Sequence, residues 1–168
     1  LSLGYLVAVL AMIRVGEKIL QRVGAKKPMI WGALITTSGV AMMGLTFLPD
    51  ITYTAVVFVG FALFGLGLGI YATPSTDTSV SNAPSDKVGQ AAGVYKMASS
   101  LGGAFGVAIS AAVYGSAAAS GNLEFAATLG ILVNVAFGIL SIISIITLVP
   151  DSAGKARISE KAGVAVSD

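Results

Sequence analysis

The sequence contains no histidine and no cysteine, and Asp, Glu, Lys and Arg together make up only 11% of its 168 residues. An average soluble domain carries about 25% charged residues. Without His or Cys there is no His-based catalytic triad, no thiol nucleophile, no zinc cluster and no disulfide framework. The ten basic residues give a net charge of +2 and are scattered, too few for a nucleic-acid-binding surface. An enzyme would need convergent acid, base or metal groups, and the long apolar stretches supply none. No enzymatic reaction, cofactor or metal is therefore expected. What the chain does have is 55% hydrophobic residues, 21 glycines and a mean hydropathy of +0.89. Its solvent is lipid.

The positions of the charges outline the architecture. Five stretches are free of charge: 1–13, 28–49, 51–76, 97–123 and 125–150. The last four hold 22, 26, 27 and 26 residues. About 20 apolar residues, rising 1.5 Å each, cross a hydrocarbon core of about 30 Å. In lipid each segment must satisfy its own backbone, which selects helices over isolated strands. Runs such as Ile139-Leu140-Ser141-Ile142-Ile143 lack the alternation of a membrane β-barrel. The expected fold is therefore all-α and integral to the membrane, with complete spans over about 28–48, 52–72, 96–118 and 125–149. The stretch 1–13 reads as the last part of a helix that begins before Leu1, since it has neither an initiating Met nor the basic start of a signal peptide. On that reading the chain is a piece of a larger protein. The tail, 151–168, mixes small and charged residues without aromatics and reads as disordered cytoplasmic chain.

Sidedness follows from the bases. Arg14, Lys18, Arg22, Lys26 and Lys27 cluster against the single acid Glu17, while the alternate turns carry only Asp50 and Glu124. The positive-inside rule then puts 14–27, 73–96 and 151–168 in the cytoplasm of a multi-pass plasma-membrane protein. Trp31, Tyr53, Tyr71, Tyr95 and Tyr114 lie near the expected span ends, where amphipathic rings favour the headgroup level. For Tyr71 and Tyr95, packing inside the bundle is the equal alternative.

Small residues four apart, in Gly65-Leu66-Gly67-Leu68-Gly69 and Gly102-Gly103-Ala104-Phe105-Gly106, let helices approach closely in lipid. Gly65, Gly69, Gly102, Gly103 and Gly106 are thus the expected packing positions, either static or sliding during a conformational cycle. No complete span has an ionisable residue at its centre. Asp77, expected just past a helix end in Pro74-Ser75-Thr76-Asp77, is a candidate proton or substrate group or else a loop cap. Asn134 sits mid-span, where a packing hydrogen bond is the plainer role. Phe58, Phe61 and Phe64 recur at three-residue spacing and could line a greasy cavity or face lipid; Tyr71 is a further candidate cavity group.

Three segments resemble the C-terminal part of a major facilitator superfamily transporter. They are Arg14-Val15-Gly16-Glu17-Lys18 running on to Arg22-Val23-Gly24-Ala25-Lys26-Lys27-Pro28; then Pro74-Ser75-Thr76-Asp77; and Gly89-Gln90-Ala91-Ala92-Gly93 followed by Leu101-Gly102-Gly103-Ala104-Phe105-Gly106. The nearest branch is the fourteen-helix drug:proton antiporters, with its quaternary-ammonium and NorB-type quinolone efflux pumps. Gln21 and Ser99 stand where many relatives carry an acid and an arginine.

The resemblance implies residues 1–150 as the end of the C-terminal bundle of a transporter that exchanges drugs for protons by alternating access. Helices 52–72 and 96–118 would face the central cavity, and 28–48 and 125–149 would form outer scaffold. The expected partners are the lipid bilayer, a small-molecule drug, protons and the missing N-terminal bundle of the same chain. Arg14, Gly16, Glu17, Arg22, Gly24, Lys26 and Lys27 form the family's short basic loop, which either gates the conformational change or serves only as a topology signal. A metabolite transporter of the same superfamily and a small four-helix partner subunit are the alternatives. The topology is tested with an epitope inserted after Asp168 in the full-length protein. Labelling is expected only after cells are permeabilised, and labelling of intact cells would overturn the assigned sidedness.

Overall fold

A computed structural model describes residues 24–81 and 83–150. The expected partial span over 1–13, the loop residues Arg14, Gly16, Glu17 and Arg22, and the expected tail lie outside these described residues. The described chain is helical: α1 (Lys26–Met43), α2 (Asp50–Ser81), α3 (Val88–Ala118) and α4 (Leu123–Leu148). By length and composition, α2, α3 and α4 can each cross a bilayer. Their surfaces suit lipid: Ile51, Phe58 and Leu148 are 89%, 77% and 78% exposed, an arrangement that water would not tolerate.

The helix ends differ from the charge-free stretches in three places. The first helix has 18 residues and stops at Met43 rather than near 48. Gly44 caps it, its N–H reaching the Ala41 and Met42 carbonyls, and short turns carry the chain to Pro49. The residue before a proline avoids the helical region, so the chain restarts at Asp50, whose charge suits a helix N-terminus. With Lys26 and Lys27 in its first turn, α1 is the weakest candidate for an independent span. The second correction concerns Pro74 and Asp77, expected beyond a helix end. Both lie inside α2, which runs for 32 residues, or about 48 Å. Thr76 and Ser79 donate their hydroxyls to the carbonyls of Ala72 and Ser75, at 2.9 and 2.8 Å, so polar side chains continue the helix. Thirdly, α3 begins at Val88, eight residues before the expected start, and takes in Gly89, Gly93, Tyr95 and Lys96. Loss of hydropathy marks where a helix leaves oil, not where it ends.

The turn before α4 is built from local signals. Gly121 takes φ 85°, a backbone conformation favoured by glycine, and Asn122 caps α4 by accepting the Phe125 N–H at 3.0 Å. At the other end Val149 is extended, as expected before Pro150.

The helices form a ring of antiparallel neighbours in the order α2, α1, α4, α3, with α1 as its hub. Between α1 and α2 the backbones nearly touch. A Cβ placed on Gly39 would lie 2.5 Å from the Gly60 carbonyl oxygen, and one on Gly32 would lie 2.8 Å from that of Gly67. Gly67 in turn seats against the Thr36 hydroxyl, and Gly138 of α4 seats against the Thr37 side chain of α1. Ala25, Met29 and Ala33 of α1 meet Ile145 of α4 in a small core, with Tyr71 packed against it. On the far side of the ring, α2 and α3 touch sparingly, and α3 contributes no buried residue among those described.

Gly39→Ala in the full-length protein drives a methyl group into backbone that cannot yield. It is expected to destabilise the fold by about 1–3 kcal/mol, read as a lower melting temperature in detergent. Gly115→Ala, with nothing within 4 Å of the new methyl, is the control and should not lower it.

Candidate functional site

The α2–α3 side of the ring concentrates the unusual chemistry. Pro74 is fully buried inside α2. Having no N–H, it leaves out the bond that this turn of helix would make to the Ile70 carbonyl. Its neighbour Ser75 is 4% exposed and is the buried polar residue of the described chain. The Tyr95 hydroxyl of α3 donates to Ser75 Oγ at 3.0 Å. Thr78, one turn further on, points its hydroxyl at Met29 Sδ of α1, 4.0 Å away. The Pro-Ser-Thr-Asp segment thus sits where α1, α2 and α3 converge, with Asp77 half-buried on α2.

The residues expected to line one cavity are not brought together. Phe58 and Phe61 are 77% and 62% exposed on α2. Tyr71 turns instead towards α1, where a Cβ on Gly32 would lie 2.9 Å from its own Cβ. With Ala33, Thr36, Thr37, Leu68, Gly138 and Ser141 it borders a cavity of about 170 Å³ between α1, α2 and α4. The Thr36 hydroxyl is buried there without a hydrogen-bond partner. Tyr71 and Tyr95 therefore both take the internal role that had stood as the alternative to an interfacial one, whereas Trp31 is 64% exposed.

Of the expected packing glycines, Gly65, Gly102 and Gly103 have nothing within 4 Å of an added Cβ among the described residues, and Gly106 has only Asn134 Oδ1, at 3.8 Å. The tight contacts between α1 and α2 fall at Gly32, Gly39, Gly60 and Gly67. These pairs are seven residues apart, two helical turns, and that spacing was available in the sequence as a signal. Gly24, from the basic loop, takes φ 80° just ahead of α1, while Lys26 and Lys27 open the helix itself.

Hydroxyl and amide groups tie the remaining seams. Thr46 donates to the Glu124 carbonyl at 2.9 Å and meets the Thr128 hydroxyl at 2.6 Å, while Thr128 donates to the Gly44 carbonyl at 3.1 Å. The end of α1 is so bound to the start of α4. Asn134 Nδ2 donates to Ser110 Oγ of α3 at 2.9 Å and to the Gly130 carbonyl at 3.2 Å, the packing role its mid-span position suggested. The threonine contacts had no sequence signal, because Thr46 and Thr128 are 82 residues apart. Among the described residues, no three His, Cys, Asp or Glu residues cluster to hold a metal.

Comparison with known proteins fits this arrangement of apolar helices. Over 150 residues the chain is 55% identical to the quinolone resistance protein NorB of Staphylococcus aureus strain MRSA252, and 56% identical to that of strain COL. Each alignment takes in 89% of this chain but 32% of the relative, so the chain spans about a third of the length of these proteins. The model of the Major Facilitator Superfamily matches residues 1–107, which include the basic loop, α1, α2 and much of α3. The chain is a multi-pass membrane polypeptide and belongs to the Major Facilitator Superfamily.

Proposed function

We propose that this chain is the C-terminal portion of a drug exporter that exchanges hydrophobic or cationic compounds for protons by alternating access. The observation that carries the reading is the identity of about 55% to proteins named for quinolone resistance. The packing supports it. In alternating access one helical bundle rocks against another around a central binding site. A bundle built for that needs a firm scaffold and a freer inner face. Here α1 is clasped by α2 and α4 through glycine contacts, whereas α3 buries nothing among the described residues. On this reading α1 and α4 are outer scaffold, and α2 and α3 face the cavity, where Phe58 and Phe61 contact an apolar drug. All four helices span the membrane, α1 with its lysines at the cytoplasmic boundary.

The finer assignments belong to the same proposal. Residues 1–150 form one bundle portion, with 151–168 as a cytoplasmic tail in the plasma membrane. Arg14, Gly16, Glu17, Arg22, Gly24, Lys26 and Lys27 make the cytoplasmic loop, whose bases attract anionic headgroups at about 1 kcal/mol each. Asp77 is the candidate proton or substrate group of this portion. The remaining proton-carrying acids are assigned to the N-terminal portion of the protein. No chemical reaction is assigned.

The full-length protein, expressed in a drug-sensitive bacterium, is expected to raise quinolone tolerance and speed efflux of a cationic dye. A proton uncoupler should abolish both gains. Efflux that ignores the uncoupler would overturn proton exchange, and unchanged susceptibility to quinolones and dyes would overturn drug export.

A further inference from the structure

We propose that the Tyr95–Ser75 hydrogen bond is a latch that holds α3 against the proline break in α2, and that its release lets the two helices part. Four observations meet at this point. Pro74 removes one rung of the helical ladder, so the turn around Ile70–Pro74 lacks a backbone bond that an unbroken helix would make there. Both Pro74 and Ser75 are buried, so the break is enclosed by protein. The Tyr95 hydroxyl crosses from α3 and donates to Ser75 Oγ at 3.0 Å, one residue past the break. Elsewhere α2 and α3 touch sparingly, so this bond acts on a seam that little else closes.

On this proposal the contact has two states. Closed, Ser75 accepts from Tyr95, and α3 moves with the part of α2 that follows Pro74. Open, the Ser75 hydroxyl can donate to a carbonyl of its own helix, as serine and threonine hydroxyls do in helices and as Thr76 and Ser79 already do here. The Ser75 hydroxyl then keeps a partner within α2. Ala91 and Ala92 lie one turn before Tyr95 on the same side of α3 and are half-buried, whereas Gln90, Gly93 and Val94 are exposed. They report on the seam.

The latch deepens the transport reading by naming a contact that α2 and α3 would break while facing the cavity. The test does not need transport. In a cysteine-free background of the full-length protein, Ala91→Cys is labelled with N-ethylmaleimide in membranes. Tyr95→Phe removes the donor and keeps the ring; it is expected to speed labelling about threefold, the effect of losing one hydrogen bond within a membrane bundle. Ser75→Ala should do the same, the double variant no more than either, and Ser75→Thr, which keeps a hydroxyl, should restore the original rate. Labelling of Gly115→Cys, at the other end of α3, should not change. An unchanged rate for Tyr95→Phe, or single effects that multiply in the double variant, would overturn the latch. Dye efflux by the same variants is read separately: loss of export in the parent protein counts against the transport reading, while the labelling rates still decide the latch.

Discussion

The contact on which the rest depends is the approach of two bare backbones, Gly32 and Gly39 of α1 against Gly67 and Gly60 of α2. Lipid tails are as apolar as leucine, so burying leucine against leucine does little to join helices in a bilayer. Close packing and hydrogen bonds must do it, and both need short distances. Removing four side chains along one line brings α1 near enough for Gly67 to seat on the Thr36 hydroxyl and for Tyr71 to lie over Gly32. The same helix receives Gly138 of α4 on its opposite flank, against Thr37. The shortest described helix thereby becomes the hub.

From that hub the bundle is uneven. The α1–α4 seam is stitched at one end by Thr46, which donates to the Glu124 carbonyl in the first turn of α4, and by Thr128, which donates to the Gly44 carbonyl at the C-cap of α1. The α3–α4 seam relies on Gly130 and on the Asn134–Ser110 bond. The α2–α3 seam has a broken helix on one side and a helix with no buried residue on the other. Close packing is concentrated at the α1–α2 seam and is sparse at the α2–α3 seam. Such a division suits a family whose members work by moving bundles against each other.

Individual residues show how far the sequence could be read. Gly121 and Asn122 form the turn before α4 by local rules, since a glycine with positive φ and an Asx cap act within a few residues. Asn134 found the packing bond expected of an amide in mid-span. Pro74 misled, since proline ends helices in water far more readily than inside a bundle, where neighbours enclose the break. The glycines misled differently. Spacings of four were conspicuous, but the contacts formed at spacings of seven, because partner choice depends on which face of α2 meets α1. For Tyr71 and Tyr95 the sequence leaves interface and interior equal, and packing decides: Tyr71 lies against α1 and α4, and Tyr95 reaches Ser75 of α2.

Solvent, helical class and the order of the segments were determined by the sequence alone. A charge-free run of more than 20 residues has no stable home but oil, and a lone segment in oil has no stable form but a helix. Neighbours, the true helix ends and the meeting of Tyr95 with Ser75 were decided only in the tertiary structure. Those depend on which small residues face each other across about 8–10 Å between helix axes. Such pairings join residues far apart in the chain; a spacing of seven marks a face, but it does not say which face it meets.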